Sequence, residues 1–282
     1  MILIADSGST KTDWAYVSKD GLARIDFKSL GYNPNYISGK EIEEDIRKSL
    51  PSGVCPEDVE EIYFYGAGVT ELQYDFMRNV LRAVFTKARK VFIAMDLLAS
   101  ARALLGRESG FAAILGTGTN TCIYDGTDIT LNIDSLGFIL GDEGSGGYIG
   151  KTLIRDFIRN DQPESVHEEV SALLGKTGDE LIDQIYTKPF PNRYCAQFCK
   201  FVADHKDSNP YYHDLIIGSF RAFFKNIVSH YPDYTTYKLN CVGSVGYYLK
   251  GLLKEAADEA GMALGKIICS PVDGLVTFHT KA

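Results

Sequence analysis

Two short apolar runs in this chain end on a carboxylate. Ile2-Leu3-Ile4-Ala5 runs into Asp6, and Val91-Phe92-Ile93-Ala94-Met95 runs into Asp96. A small polar turn, Ser7-Gly8-Ser9-Thr10-Lys11, follows the first run. Its backbone N–H groups, the Ser9 and Thr10 hydroxyls and the Lys11 ammonium make a concave set of donors suited to a phosphate chain. Asp6, at the lip of that turn, could hold Mg²⁺ through water. An ordinary hairpin with a polar tip is the competing reading of this stretch. A second turn of the same kind, Gly116-Thr117-Gly118-Thr119, follows Phe111–Leu115. A third, Gly243-Ser244-Val245-Gly246, follows Lys238–Val242. Two donor-rich tips could grip one polyphosphate from both sides, and the bare backbone of the third turn could pack against a nucleoside. An acidic glycine-rich loop, Gly141-Asp142-Glu143-Gly144-Ser145, completes the set.

The elements that must position these residues can be read from pattern. Apolar runs on either side of a glycine-containing turn predict a hairpin over Met1–Val17, with a third strand over Ala23–Leu30. Strand, helix, strand, helix follow: Val59–Tyr65, Glu71–Lys87, Val91–Met95 and Leu97–Leu105. This order argues for α/β architecture with a parallel component. Gly106–Gly110 is a plausible boundary, after which Phe111–Tyr124 repeats the opening hairpin, so an internal repeat of domains is expected. Residues 164–232 read as mostly helical, Tyr247–Ala260 as a helix, and Lys266–Cys269 as a last strand before a short helix opening at Pro271.

Composition narrows the function. The formal net charge of -8 and the scattered basic residues disfavour a nucleic-acid surface. No signal peptide or apolar stretch near ~20 residues is present, so a cytoplasmic protein is expected. Cys195 and Cys199, four apart on an apparent helix, read as a half-buried face rather than a zinc site, because the tight paired spacing is missing. Gly150-Lys151-Thr152 imitates the end of a P-loop, but position 145 is serine and the segment lies inside a helical pattern. Neither Gly66-x-Gly68 nor Gly116-x-Gly118 has the third glycine of a dinucleotide fingerprint. No serine or cysteine has a nucleophile elbow or a matched histidine.

The ordered set of D-x-G-x-T-K-T, G-T-G-T in a second hairpin and a late glycine-rich turn before a helix resembles the sugar kinase, Hsp70 and actin superfamily. With L-G-T-G-T-N and G-D-E-G-S together, the chain is more closely similar to the N-acetylglucosamine kinase and BadF/BadG/BcrA/BcrD ATPase family, over nearly its whole length. The resemblance implies two ribonuclease H-like (actin-like ATPase) α/β domains, over 1–108 and 109–282, with an interdomain cleft and a last helix that crosses back to the first.

It also implies ATP and Mg²⁺ as cofactors and phosphorylation of an amino sugar, N-acetylglucosamine at its 6-hydroxyl. Asp96 then matches the base on the sugar hydroxyl, and Asp6 the Mg²⁺ residue. Gly8, Ser9, Thr10 and Lys11 match the first phosphate loop, Gly116, Thr117, Gly118 and Thr119 the second, and Gly243 with Ser244 the adenosine motif. Asn33, Asp142 and Thr117 match residues that touch the sugar. One departure stands out: Leu136 takes the place of an aromatic residue near the sugar, which bears on the acyl group accepted. Read from the residues alone, Asp96 at a strand end before a helix also fits an N-cap. Two other functions stay open: a partner-activating ATPase of the BadF type, whose cluster-spaced cysteines are missing here, and a non-catalytic sugar sensor. The expected partner is a small sugar, with no nucleic acid and no membrane; a homodimer is left open.

Overall fold

The structure, a computed structural model, describes residues 1–8, 10–34 and 37–280. The chain begins with three strands, β1 (Ile2–Ser7), β2 (Lys11–Val17) and β3 (Arg24–Leu30). Helix α1 (Gly39–Ser49) starts at a reciprocal cap in which Ser38 and Glu41 satisfy each other's backbone N–H. β4 (Glu61–Gly66), α2 (Glu71–Val84), β5 (Lys90–Met95) and α3 (Asp96–Leu105) follow. The sheet runs β3-β2-β1-β4-β5, with β1 antiparallel to β2 and parallel to β4. Side chains alternate across it. Leu3, Ala5, Trp14 and Tyr16 join a core with Ile42 and Ile46 of α1 and Met77 and Leu81 of α2. Ile2, Ile4 and Asp6 point to the opposite face.

A second sheet is built from β6 (Gly110–Leu115), β7 (Thr119–Tyr124), β8 (Ile129–Leu131), β9 (Lys238–Val242) and β10 (Ala263–Ile268). Its order is β10-β9-β6-β7-β8. Read from the other edge, this repeats the first sheet: two tightly connected neighbours lead to the central strand, and two parallel strands complete it. The helices of this part are α4 (Gly137–Leu140), α5 (Gly146–Arg159), α6 (Glu164–Leu174), α7 (Gly178–Thr187), α8 (Pro191–Ala196), α9 (Cys199–Asp204), α10 (Pro210–Asn226), α11 (Ser244–Tyr248) and α12 (Lys250–Glu259). Phe111, Ala113 and Leu115 of β6 anchor its core against Ile149 and Leu153 of α5 and Phe220 and Phe223 of α10.

The chain divides into two compact units: Met1–Ser109 with Tyr124–Thr130 and Ser270–Ala282, and Gly110–Ile123 with Leu131–Cys269. The closing helix, α13 (Val272–Thr280), belongs to the first unit and packs on β1, β2 and α3.

Several elements differ from the sequence reading. Cys195 and Cys199 lie on two short helices, α8 and α9, and both are buried rather than half-buried. The helix expected over 247–260 is two, parted at Leu249, whose φ of -103° and ψ of 23° leave the helical range. β10 begins at Ala263, three residues before the expected strand. β8, only three residues long, was not anticipated.

Candidate functional site

In the first unit β1, β4 and β5 run parallel, so Asp6, Tyr65 and Ala94 form one row across the sheet. Asp96 lies two residues past that row and is the first residue of α3. Both carboxylates therefore stand at the carboxyl ends of parallel strands, where open α/β sheets take their ligands. Met95, not Asp96, occupies the N-cap position. Burial lifts the Asp96 pKa to about 6, against the pull of the Leu97 N–H and its own backbone N–H. Burial first, then the charges of Asp96 and Asp13, lift Asp6 to about 7, while Lys11 draws it back.

Asp13 faces Asp6 directly across the hairpin. It holds the ammonium of Lys11 at 2.6 Å and that of Lys28 at 3.8 Å. Around the turn, the Gly8 N–H donates to Lys11 O (2.9 Å), Thr10 is exposed, and Ser9 lies outside the described residues. Ser7 Oγ accepts from the Tyr32 N–H at 3.0 Å, which ties the loop after β3 to this turn. Asn33 on that loop packs against Gly68, where an added Cβ would come 2.6 Å from its Nδ2. The first unit thus gathers Asp6, Asp96, Thr10, Lys11 and Asn33 around the ends of β1, β3, β4 and β5. Among the described residues, no group of three or more His, Cys, Asp or Glu is placed to hold a metal ion alone. A desolvated Asp6 pressed by two other acids nonetheless suits a divalent cation that completes its shell with water and ligand oxygens.

In the second unit the turn Gly116–Gly118 is clamped by the acidic loop and the start of α5. The Gly146 N–H donates to Gly116 O (2.8 Å) and the Gly147 N–H to Thr117 O (3.0 Å). Thr119 Oγ1 lies 2.7 Å from Glu143 O, and the Thr119 N–H donates to Asp142 Oδ1 at 3.2 Å. Ser135 Oγ donates to the same Asp142 oxygen at 3.1 Å. Asp142 is buried with a left-handed φ of 59°, and burial raises its pKa. Glu143 is held by Asn226 Nδ2 at 2.8 Å, which gives it a structural partner on α10. Leu136 opens α4, also with a φ of 59°, and its side chain is exposed.

A cavity of about 690 Å³ lies in this unit, within the usual range of roughly 300–1,000 Å³ for small-molecule sites. Gly116, Thr117, Gly146 and Ser244 line one part of it, and the N-termini of α5 and α11 belong to this part. Ala196, Cys199 and Ala203 from α8 and α9 supply small apolar side chains to its wall. Gly243 makes the close approach possible. Its φ is 127°, and a Cβ there would stand 2.3 Å from Leu115 O. The Ala196, Cys199 and Ala203 wall was missed from the sequence; small residues recurring along a helical segment were the available signal.

No helix among the described residues is long and apolar enough to cross a membrane. No protein-family model matches the chain, and no curated protein matches it either. Solved structures do. A provisionally named N-acetylglucosamine kinase from Porphyromonas gingivalis is 37% identical, with a TM-score of 0.93 over 100% of this chain and 99% of that one. A provisionally named N-acetylglucosamine kinase from Chromobacterium violaceum is 15% identical, with a TM-score of 0.71 over 99% and 98%. A ROK family glucokinase from Streptomyces griseus, solved with glucose and AMPPNP, is 14% identical, with a TM-score of 0.58 over 100% and 98%. Two mixed five-stranded sheets with these neighbours define the actin-like ATPase fold of the sugar kinases. Within it, the chain belongs to the N-acetylglucosamine kinase-like family represented by the Porphyromonas protein.

Proposed function

We propose that the protein transfers the γ-phosphoryl group of ATP to the hydroxyl of an amino sugar, and that the sugar is N-acetylglucosamine, phosphorylated on its 6-hydroxyl. The observation that carries this reading is Asp96, a desolvated carboxyl with a pKa of about 6 at the end of a parallel strand. Such a group is ionised at neutral pH yet basic enough to take a proton in the transition state. The first unit, with the returning helix α13, acts as one ATPase-like domain and the second unit as the other.

In the reaction Asp96 accepts the proton of the sugar hydroxyl as its oxygen forms the new bond to the γ-phosphorus. The bond from that phosphorus to the bridging oxygen breaks, and ADP leaves. Thr10 and Lys11, with Gly8 and Ser9, serve one phosphate loop, and Gly116–Thr119 the other. Gly243 and Ser244 face the adenosine, and the second unit's cavity accommodates it. Asn33, Thr117 and Asp142 touch the sugar. Asp6 would hold Mg²⁺ through water, and the charge such an ion supplies would offset that of the phosphates. Positioning and electrostatics supply most of the rate in such transfers.

The deciding experiment is a coupled ADP assay over a panel of sugars. ATP consumption that depends on N-acetylglucosamine, with a 6-phosphate product, supports the reading. ATP turnover indifferent to every sugar, or sugar binding without turnover, overturns it.

A further inference from the structure

We propose that Arg102, Tyr65 and His279 form a hydrogen-bonded latch that fixes helix α3, and with it Asp96, so that the closing helix α13 is a positioning element for phosphoryl transfer. The inference rests on the reading of Asp96 as the base.

Arg102 lies on α3 six residues after Asp96, about 9 Å along the helix axis. Its guanidinium stands over the rings of Phe92 (5.0 Å) and Phe278 (5.2 Å). Nη1 donates to Tyr65 Oη at 2.9 Å, and Nη2 to Thr127 O at 3.3 Å. Tyr65 is fully buried and shares the sheet row of Asp6. His279, from α13, brings Nε2 to 2.8 Å from the same phenol oxygen. Its ring stacks on Tyr63 with centroids 3.7 Å apart.

A guanidinium has no acceptor, so the Tyr65 oxygen accepts from Arg102. In the latch the phenol proton goes to His279 Nε2, which requires a neutral imidazole with its own proton on Nδ1. Burial and the nearby charges of Arg102, Lys90 and Arg107 hold its pKa down to about 3, in agreement.

Packing alone does not call for this arrangement. Arg102 Nε is buried with no partner among the described residues, a cost an apolar side chain would avoid. α13 also grips α3 at the neighbouring residue. A Cβ on Gly274 would meet Ala103 O at 2.6 Å and Ala103 Cβ at 2.7 Å, so only glycine permits this crossing. Arg24 Nη2 holds Asp273 at 2.7 Å and ties the first turn of α13 to β3. The far half of α3 is thus pinned at residues 102 and 103, while Asp96 sits at the opposite end, where β5 runs directly into the helix. A displacement of about 1 Å at a reacting group can cost on the order of 10² in rate.

The test compares Tyr65→Phe, His279→Phe and His279→Gln, the last keeping an acceptor for the phenol proton. Each is assayed for sugar phosphorylation, thermal unfolding and hydrogen exchange in residues 97–100. Tyr65→Phe and His279→Phe should lower kcat at least tenfold with both KM values within twofold, and their double variant should be no worse. His279→Gln should keep most of kcat. Exchange in the first turn of α3 should quicken in the two Phe variants only. In the wild type, ¹⁵N NMR should show His279 neutral and protonated on Nδ1 at pH 6. Folded Phe variants with wild-type kcat, or a His279 protonated on Nε2, overturn the latch. If the wild type phosphorylates no sugar, the kinase reading fails instead, and the tautomer and exchange results still decide whether the latch exists.

Discussion

Asp96 raises the pKa of Asp6: the two carboxyls close the ends of β1 and β5 on either side of β4, and the charge of the second makes the first harder to ionise. Neutralising Asp96 should therefore act on stability as well as on rate. Its folded-state pKa, about 6, lies above the ordinary 3.8, so its contribution to stability is full below pH 3.8 and is lost as pH rises through 6. Asp96→Asn should stabilise the fold by about 3 kcal/mol at pH 8 and by almost nothing at pH 4. Turnover should fall by ~10² or more while binding of an ATP analogue changes little. Urea unfolding at the two pH values, with calorimetric titration of the analogue, checks both.

The same two groups set the pH dependence of activity. A base must be unprotonated to work, so kcat/KM should rise with pH up to about 6–7 and level above, the limb belonging to the coupled pair. Cation binding favours the ionised form of Asp6. Raising Mg²⁺ should move the limb to lower pH, and profiles at two Mg²⁺ concentrations test this.

Gly243 carries the turn from β9 into α11. An alanine there meets Leu115 O and must also adopt a φ of 127°. Gly243→Ala should cost about 2 kcal/mol or more and weaken binding of an ATP analogue at least tenfold, as read by thermal unfolding and titration.

Thr119 ties the second turn to the acidic loop through its hydroxyl. Thr119→Val keeps the shape but leaves Glu143 O without that donor, at a cost of about 1–3 kcal/mol. The Asp142 loop should loosen, so KM for the sugar should rise more than KM for ATP. Initial-rate kinetics with each substrate varied in turn would show it.

Both hairpins and the strand–helix order were legible because they rest on local signals: alternating apolar residues, glycine turns, and runs that stop at Asp6 and Asp96. What escaped was non-local. Nothing within residues 191–205 announces the break between α8 and α9, since neither glycine nor an internal proline marks it; packing decides it. Thr119 and Asp142 are 23 positions apart, and Tyr65 and His279 are 214 apart. Such pairs leave no periodicity to read. The positive φ of Leu136 was equally hidden, because leucine gives no hint of a left-handed backbone.

The place of α13 in the chain has a consequence for biosynthesis. Its glycine crossing and its histidine complete the unit that holds Asp96, yet they emerge from the ribosome only after the other unit has been made. At roughly 5–20 residues per second, the nascent first half waits on the order of ten seconds for the helix that finishes it. During that interval β1, β2 and α3 lack the helix that packs on them, so this face is where a nascent-chain chaperone would be expected to sit.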